Sequence, residues 1–312
     1  LKAVSPQAPI LDWFKGDDVH HNGAFMLMDL YSFAPYMFKK HDNPVTEDHG
    51  LPSPIGEDAY EWFLEMKTPA ALTAALPDTL AFWNEVLLHP DYDDFWQERS
   101  LEPHLKDISP AILVVGGEFD TDDCYGALNT YKLIHENSPE TDLHLVYGPW
   151  THGGWHESDY QGLGTRKFGE GLSTYFMKNI EYPFFRYYLE NKGIRPEPVY
   201  VFASGSDEWQ TMDVWPSDDI AFTPMYLSGG KSLSTDAPSE EESSSCYVSD
   251  PHDPVPFMED ASRRDKSYMV ADQSFASARN DVLTFVSDEL EETLKLEGPL
   301  KAELEMEISS TD

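Results

Sequence analysis

The amino-acid sequence predicts an α/β domain followed by an all-β domain. Residues 111–117 are an unbroken apolar run ending in two glycines, which is typical of a buried strand in a parallel sheet. A predicted helix over residues 125–137 and an apolar strand over residues 143–147 complete a strand–helix–strand unit. After Pro196, short apolar segments separated by turns replace this pattern.

The part of the chain before this unit predicts one more strand and a helical cap. Residues 1–6 read as a short buried strand that ends at a proline. Apolar side chains recur at helical spacing within residues 24–106, and prolines divide this stretch into short helices. We therefore expect a cap of short helices inserted into the α/β domain. A long helix over residues 171–191 follows the second strand of the unit.

The carboxyl-terminal third has the pattern of a β-sandwich or jelly roll. We place the domain boundary near residue 195, with a partial α/β domain over 1–194 and a partial β domain over 195–312. The predicted strands of the β domain are residues 199–203, 224–227, 267–270, 282–286 and 300–308.

The charge balance of the chain excludes some classes of partner. The 312 residues include 21 Lys and Arg against 57 Asp and Glu, for a formal net charge of -36. Nucleic-acid binding is disfavoured because phosphate contacts require clustered basic side chains. The acidity fits either a high-salt environment or an acidic secreted protein, and a melting temperature that rises steeply with salt would favour the first. No apolar run reaches transmembrane length, so we expect no membrane partner.

An acid and a histidine follow two consecutive strands of the predicted sheet. Asp120 comes just after the first strand, and His152 comes just after the second. Sites in open α/β sheets form at the carboxyl ends of strands, and the acid precedes the histidine in the α/β-hydrolase triad. This pattern predicts that Asp120 orients His152 as a general base. The alternative is that Asp120 is a turn residue and His152 a surface loop residue.

The serine that such a pair would serve is not evident in the sequence. No G-x-S-x-G nucleophile elbow precedes Asp120, and Ser5, which follows a predicted strand, lacks the flanking glycines. Either an unusual serine or a cysteine takes the role, or the nucleophile lies upstream of Leu1. We expect the second, because the chain opens on a strand, and we therefore expect the isolated chain to be inactive.

Several motifs occur in order along the chain, namely Leu1-Lys2-Ala3-Val4-Ser5-Pro6-Gln7-Ala8-Pro9, Gly16-Asp17-Asp18, His21-Asn22-Gly23-Ala24-Phe25, His89-Pro90-Asp91-Tyr92-Asp93-Asp94-Phe95-Trp96, Gly148-Pro149-Trp150-Thr151-His152 and Gly205-Ser206-Asp207-Glu208-Trp209. Together they resemble the CocE/NonD hydrolases, which include α-amino acid ester hydrolases, glutaryl-cephalosporin acylases and, more distantly, Xaa-Pro dipeptidyl-peptidases. The resemblance implies an α/β-hydrolase domain with a helical cap, a jelly-roll domain, a serine nucleophile and an exported enzyme. It implies no cofactor, and a homo-oligomer stays open.

The same resemblance implies a substrate-binding site made of three carboxylates. In the α-amino acid ester hydrolases such carboxylates hold the α-ammonium group of the substrate, and the matching positions are Asp18, Asp122 and Asp123. A bound cation would relieve the repulsion among them. The alternative is that Asp18 caps a turn, and that Asp122 and Asp123 begin a helix, where the dipole favours acids.

The expected substrate is therefore a small ester or amide of an α-amino acid, or a short peptide, cleaved through an acyl-enzyme. An Xaa-Pro dipeptidyl-peptidase-like activity is the alternative, and a catalytically inert fragment stays open. A glutaryl-type acylase is disfavoured, because the three carboxylates would repel an anionic substrate.

Three aromatic side chains are candidates for the pocket wall: Tyr92, Trp96 and Trp150. Burial in the core would explain each of them equally well. His20 and His21 are adjacent, so their side chains point in different directions, and we expect no metal site.

Overall fold

The fold is described from a computed structural model, which covers residues 1–39, 43–44, 53–76, 80–158, 160–238 and 244–309. The strands are β1 Ala3–Val4, β2 His20–His21, β3 Ala24–Phe25, β4 Ala111–Gly117, β5 Leu143–Gly148, β6 Gly162–Leu163, β7 Arg166–Lys167, β8 Val199–Ala203, β9 Glu208–Met212, β10 Tyr226–Leu227 and β11 Leu233–Ser234. The α-helices are α1 Leu27–Met37, α2 Ala59–Met66, α3 Pro69–Ala75, α4 Ala81–Leu88, α5 Asp94–Gln97, α6 Cys124–Asn137, α7 Leu172–Tyr175, α8 Tyr182–Glu190 and α9 Ser274–Ser277.

The central element is a five-stranded sheet in the order β1-β4-β5-β8-β9. The first four strands are parallel, and β9 is antiparallel to β8. Every residue of β4 is buried, as expected for a parallel strand that is covered on both faces. The sequence therefore correctly predicts β1, β4 and β5 as strands of the sheet and α6 as the helix between β4 and β5.

Each face of the sheet packs against one helical layer. Alternate residues of β4 point to opposite faces, so Leu113 and Ile112 belong to two different core clusters. One face packs on α6 through side chains such as Ile134. The other face packs on the segment from α7 to α8 through Phe176 and Phe184. The strands β4 and β5 pair directly with each other up to Gly117 and Gly148, so their carboxyl ends lie side by side.

The helix predicted over residues 171–191 is interrupted in the structure. A π-helical turn, Phe176–Glu181, separates α7 from α8. Pro183 lies just after this turn, and its ring nitrogen has no hydrogen to donate to the preceding turn. The interruption therefore coincides with a residue that cannot continue the regular hydrogen-bond pattern.

The helices α1 to α5 form the cap that the sequence predicts. Asp58 and Thr68 begin α2 and α3, and their side-chain oxygens accept hydrogen bonds from the backbone N–H groups of the first turns. The cap has its own apolar core, in which Leu30, Tyr31 and Trp83 are fully buried. The cap is thus a separately packed layer of short helices.

The carboxyl-terminal third contains less regular structure than its sequence predicts. Val199–Ala203 is a strand, as predicted, and it pairs in parallel with β5, which extends the central sheet. Lys266–Val270 is a 3₁₀ turn, only β10 forms within residues 224–227, Val286 makes an isolated bridge, and residues 300–308 form no strand. A strand requires a neighbouring strand with which it forms backbone hydrogen bonds. Within the described residues, these segments have few such partners.

Among the residues that the structure describes, no helix combines the length and the apolar character needed to cross a bilayer.

Candidate active site

The ends of β4 and β5 bring the acid and the histidine together. These strands are parallel neighbours in register, so the loops that follow them leave the sheet side by side. The backbone N–H of Phe119 donates to the carbonyl oxygen of Trp150 at 3.0 Å, which joins the two loops. A Cβ atom on Gly117 would lie 2.2 Å from that same oxygen, so the close approach requires glycine.

His152 forms a hydrogen bond with Asp120 within this pair of loops. Its Nδ1 lies 3.2 Å from Oδ2 of Asp120. The other oxygen of Asp120 accepts from the backbone N–H groups of Asp122 and Asp123, at 3.2 and 3.3 Å. Asp120 is only 1% exposed, so its carboxylate is shielded from solvent beside the imidazole. Nε2 of His152 makes no hydrogen bond to a described residue, and the side chain is 46% exposed.

Asp123 is a second carboxylate partner of His152. It occupies the N-cap position of α6 without capping the helix, and its Oδ2 lies 3.0 Å from Nδ1 of His152. Its Oδ1 is buried and has no hydrogen-bond partner within the described residues. Burial raises the pKa of Asp123. The hydrogen bonds to Asp120 and Asp123 raise the pKa of His152 to about 10.

Asp18 joins this cluster from the loop before β2. Its backbone is left-handed, with φ of 51°, and its N–H donates to the carbonyl oxygen of Asp122 at 3.2 Å. Its carboxylate forms no hydrogen bond within the described chain. Burial, followed by the charges of Asp123 and Asp122, raises the pKa of Asp18 to about 8. Asp18 does not cap a turn. It lies close enough to Asp122 and Asp123 for their negative charges to raise its pKa.

Asp17, which the sequence did not single out as a functional residue, positions Asp18. Its buried carboxylate accepts backbone hydrogen bonds from Leu11, Asp12 and Gly126, at 2.8, 3.0 and 2.6 Å. These bonds dock the loop on the first turn of α6. The motif Gly16-Asp17-Asp18 was the available signal in the sequence, but the spacing alone does not tell which aspartate is structural.

Asp122 is paired with Arg264, a contact that no pattern in the sequence predicts. Nη2 of Arg264 lies 3.1 and 3.0 Å from the two carboxylate oxygens of Asp122. Nε of Arg264 also donates to Asp29 in α1. The structure therefore brings Asp18, Asp122 and Asp123 together as predicted, but it pairs one of the three with an internal cation.

Comparisons with known proteins show which family this chain resembles. Residues 1–154 match the family model of the X-Pro dipeptidyl-peptidase (S15 family), and residues 188–312 match that of the X-Pro dipeptidyl-peptidase C-terminal non-catalytic domain. The cocaine esterase of Rhodococcus sp. (strain MB1 Bresler) is 32% identical over 247 residues, which are 73% of this chain and 41% of the esterase.

Two solved structures are similar over almost the whole chain. An aminopeptidase from a marine sediment Thaumarchaeota archaeon superposes with a TM-score of 0.83 at 29% identity, covering 93% of this chain and 49% of the aminopeptidase. An α-amino acid ester hydrolase superposes with a TM-score of 0.80 at 29% identity, covering 94% of this chain and 49% of the hydrolase. The chain belongs to the CocE/NonD hydrolase family. It spans less than half the length of each of these three relatives.

The CocE/NonD fold seen here is an α/β-hydrolase domain with a mostly parallel sheet, followed by the carboxyl-terminal β domain of the second family model. The resemblance drawn from the sequence motifs is thus confirmed at the level of family and fold.

The aromatic pocket candidates of this family member mostly lie in the core. Trp150 is fully buried beside Phe176, and its Nε1 has no hydrogen-bond partner within the described part. Trp96 is buried in the cap and donates to the carbonyl oxygen of His89 at 2.7 Å. Apolar side chains of the described chain enclose both rings, so both are core residues. Tyr92 donates to Asp12 at 2.7 Å and lines a cavity of about 380 Å³ whose lining does not include His152.

Metal-ligating side chains do occur in the site of this CocE/NonD chain. One oxygen each of Asp120 and Asp122 and a ring nitrogen of His152 lie within 4.8 Å of one another. A metal ion there would have to displace His152 from Asp120 and Arg264 from Asp122, so we keep the prediction of no metal. His20 is buried against the rings of Phe14 and Trp96, and burial lowers its pKa to about 4.

Proposed function

We propose that this chain supplies the acid and the base of a serine hydrolase that cleaves esters or amides of α-amino acids or short peptides. The observation that carries the proposal is the buried carboxylate of Asp123, which contacts His152 with one oxygen and leaves the other without a partner in the described chain. A buried, unpaired carboxylate oxygen is costly, and a bound ammonium group would satisfy it.

In the proposed reaction, His152 acts through Nε2. It removes the proton of a serine hydroxyl as the oxygen attacks the carbonyl carbon of the substrate, and then returns that proton to the leaving alcohol or amine. Water repeats the sequence on the acyl-enzyme and releases the acid. Asp120 holds the Nδ1–H of His152, which fixes the tautomer and stabilises the imidazolium. No described serine is hydrogen-bonded to Nε2, so we propose that the isolated chain does not turn over substrate.

Asp18 and Asp123 would bind the α-ammonium group of the substrate. The pKa of each carboxyl is raised, mainly by burial and also by neighbouring acids. A cation between the two carboxyls would favour the charged form of both. The ammonium would also draw Asp123 away from His152. Because the hydrogen bond to Asp123 helps to raise the pKa of His152, substrate binding would lower that pKa towards the range of a working base.

An Xaa-Pro dipeptidyl-peptidase-like activity is the second candidate. Both matched family models carry that description, and such a substrate also presents a free amino group. A catalytically inert role for the chain is the third candidate, and it predicts no ligand preference at all.

The proposal is tested by calorimetric binding of leucinamide and of 4-methylpentanamide, which lacks only the amino group. At pH 7 we expect leucinamide to bind at least about tenfold more tightly, as a charge-assisted hydrogen bond would provide. Equal affinities would contradict the proposed ammonium site. Tighter binding of alanylprolinamide than of leucinamide would favour the peptidase alternative.

A second experiment tests the proposed inactivity of the isolated chain with leucine p-nitrophenyl ester. Hydrolysis above that of a His152→Ala variant, abolished by a serine-directed phosphonate, would show that a serine of this chain is the nucleophile and would overturn the proposal.

A further inference from the structure

Arg264 joins three separate parts of the chain at the edge of the candidate site. It comes from the region that matches the C-terminal non-catalytic domain model. Its Nη2 contacts both oxygens of Asp122, which follows β4, and its Nε donates to Asp29 in the cap helix α1. The side chain is 28% exposed, so this guanidinium is enclosed between two carboxylates that face it from different elements.

The guanidinium lies only one carboxylate away from the acid–base pair. Asp122 contacts Arg264 on one side, and one of its oxygens lies within 4.8 Å of a ring nitrogen of His152 on the other. Asp18 also feels the charge of Asp122. A ligand held by Asp18 and Asp123 would therefore lie close to a permanent positive charge, because a guanidinium does not lose its proton.

This pairing changes what the carboxylate cluster can bind. Asp122 already pairs with Arg264, whereas Asp18 and Asp123 remain to accept one ammonium group. A second positive charge on the same ligand would be repelled by Arg264, and this repulsion would offset the attraction that Asp122 would otherwise provide. The net charge of the whole chain acts in the opposite direction, because -36 attracts cations from a distance.

We propose that Arg264 is a specificity-determining residue that restricts the site to substrates with a single positive charge. This inference rests on the proposed ammonium site. The favoured class is α-amino acid esters and amides with uncharged side chains, and the disfavoured class carries a second amino group on the side chain. Loss of the guanidinium would free Asp122 and Asp29, and these would then accept the second amino group.

The test compares norleucinamide with lysinamide, which differ only by the terminal amino group. Affinities are measured by calorimetry at pH 7 in about 0.15 M salt, where long-range attraction is screened beyond about 8 Å. The wild-type chain should bind norleucinamide about tenfold more tightly than lysinamide. Arg264→Gln should reduce this ratio to about one or invert it.

Arg263 provides a matched control next to Arg264. Its side chain is 76% exposed and approaches Asp265 at only 3.9 Å, so Arg263→Gln removes the same charge from the same segment without touching the site. This variant should keep the wild-type ratio. If Arg263→Gln changes the ratio as much as Arg264→Gln does, the effect is one of net charge and the proposal fails.

Two further results separate this inference from the function on which it rests. Hexanamide lacks the α-amino group of norleucinamide. If norleucinamide binds more tightly than hexanamide while Arg264→Gln leaves the lysinamide ratio unchanged, the ammonium site stands and the role of Arg264 is overturned. If norleucinamide and hexanamide bind equally to the wild type, both proposals fail. Should Arg264→Gln prove too unstable to assay, Arg264→Lys keeps the charge and must preserve the preference for norleucinamide.

Discussion

The two sides of the acid loop, residues 120–123, pair with different kinds of cation. Asp120 and Asp123 face His152, whose charge depends on pH and on its partners. Asp122 faces Arg264, whose charge is permanent. Under the proposed ammonium site, the first side would exchange partners when a ligand binds, whereas the second side would stay paired. Neighbouring carboxylates in one loop therefore have either a titratable partner or a permanently charged one.

The largest expected effect is the change in the pKa of His152 caused by Asp120→Asn. Asp120 makes the largest contribution to the raised pKa of His152, and its replacement removes both charge and acceptor strength. We expect the pKa of His152 to fall by about two pH units. The measurement is a proton–nitrogen NMR titration of the imidazole, assigned with a His152→Gln variant.

The control for this titration is Asp91→Asn, which removes one exposed acid outside the loop. It should leave the midpoint of His152 unchanged. An equal fall in both variants would mean that the overall charge of the chain, rather than Asp120, sets the basicity of His152.

Asp123→Asn should have a smaller effect on the same histidine and a specific effect on binding. The pKa of His152 should fall by about one pH unit, because the hydrogen bond to Asp120 remains. Leucinamide should lose about tenfold in affinity, whereas 4-methylpentanamide should lose little. Equal losses for both ligands, measured by calorimetry, would argue that Asp123 supports the fold rather than the ammonium group.

A strand could be predicted from the sequence where both of its faces are buried, because all of its residues are then apolar. The strand β4 is apolar throughout because both of its faces are buried, so the run of residues predicts it directly. Lys266–Val270 and residues 300–308 have strand-like composition, yet the first is a 3₁₀ turn and the second is irregular. Composition indicates which side chains prefer a sheet, but the partner strand that would complete the pairing is a property of the fold.

The site divides in the same way. Asp120 and His152 could be found because they follow adjacent strands, whereas Asp18 and Asp123 required the resemblance to a family. Arg264 could not be found, since it lies 142 residues from Asp122 and only the fold brings the two together. The residue type of Trp150 is equally compatible with a pocket wall and with the core, and the structure shows that it is buried in the core.

A smaller effect concerns the dependence of stability on pH. The folded protein holds a proton on Asp18 up to about pH 8, whereas an unfolded aspartate loses it near pH 4, so stability falls as pH rises between these values. His152, with a pKa of about 10 in the folded state, adds a fall of the same sign above its ordinary value near 6.5. Asp18→Asn removes the first contribution.

We therefore expect Asp18→Asn to raise the free energy of unfolding at pH 8 by on the order of 2 kcal/mol, with little change at pH 4. Melting curves across this range measure the difference, with Asp91→Asn as the control for a general loss of negative charge. A gain that is the same at pH 4 and pH 8 would show that Asp18 is not the group that titrates.

The smallest effect is expected from a substitution of Asp122, the acid that pairs with Arg264. Asp122→Asn should change the midpoint of His152 by less than about half a pH unit, because Asp120 and Asp123 are the acids that raise it. It should cost only about 1 kcal/mol of stability, since Arg264 keeps Asp29 as a partner and the pair is partly exposed. The NMR titration and a melting curve check the two values. A change in His152 as large as that from Asp123→Asn would mean that the two sides of the loop are not independent, and that Arg264 controls the base as well as the ligand.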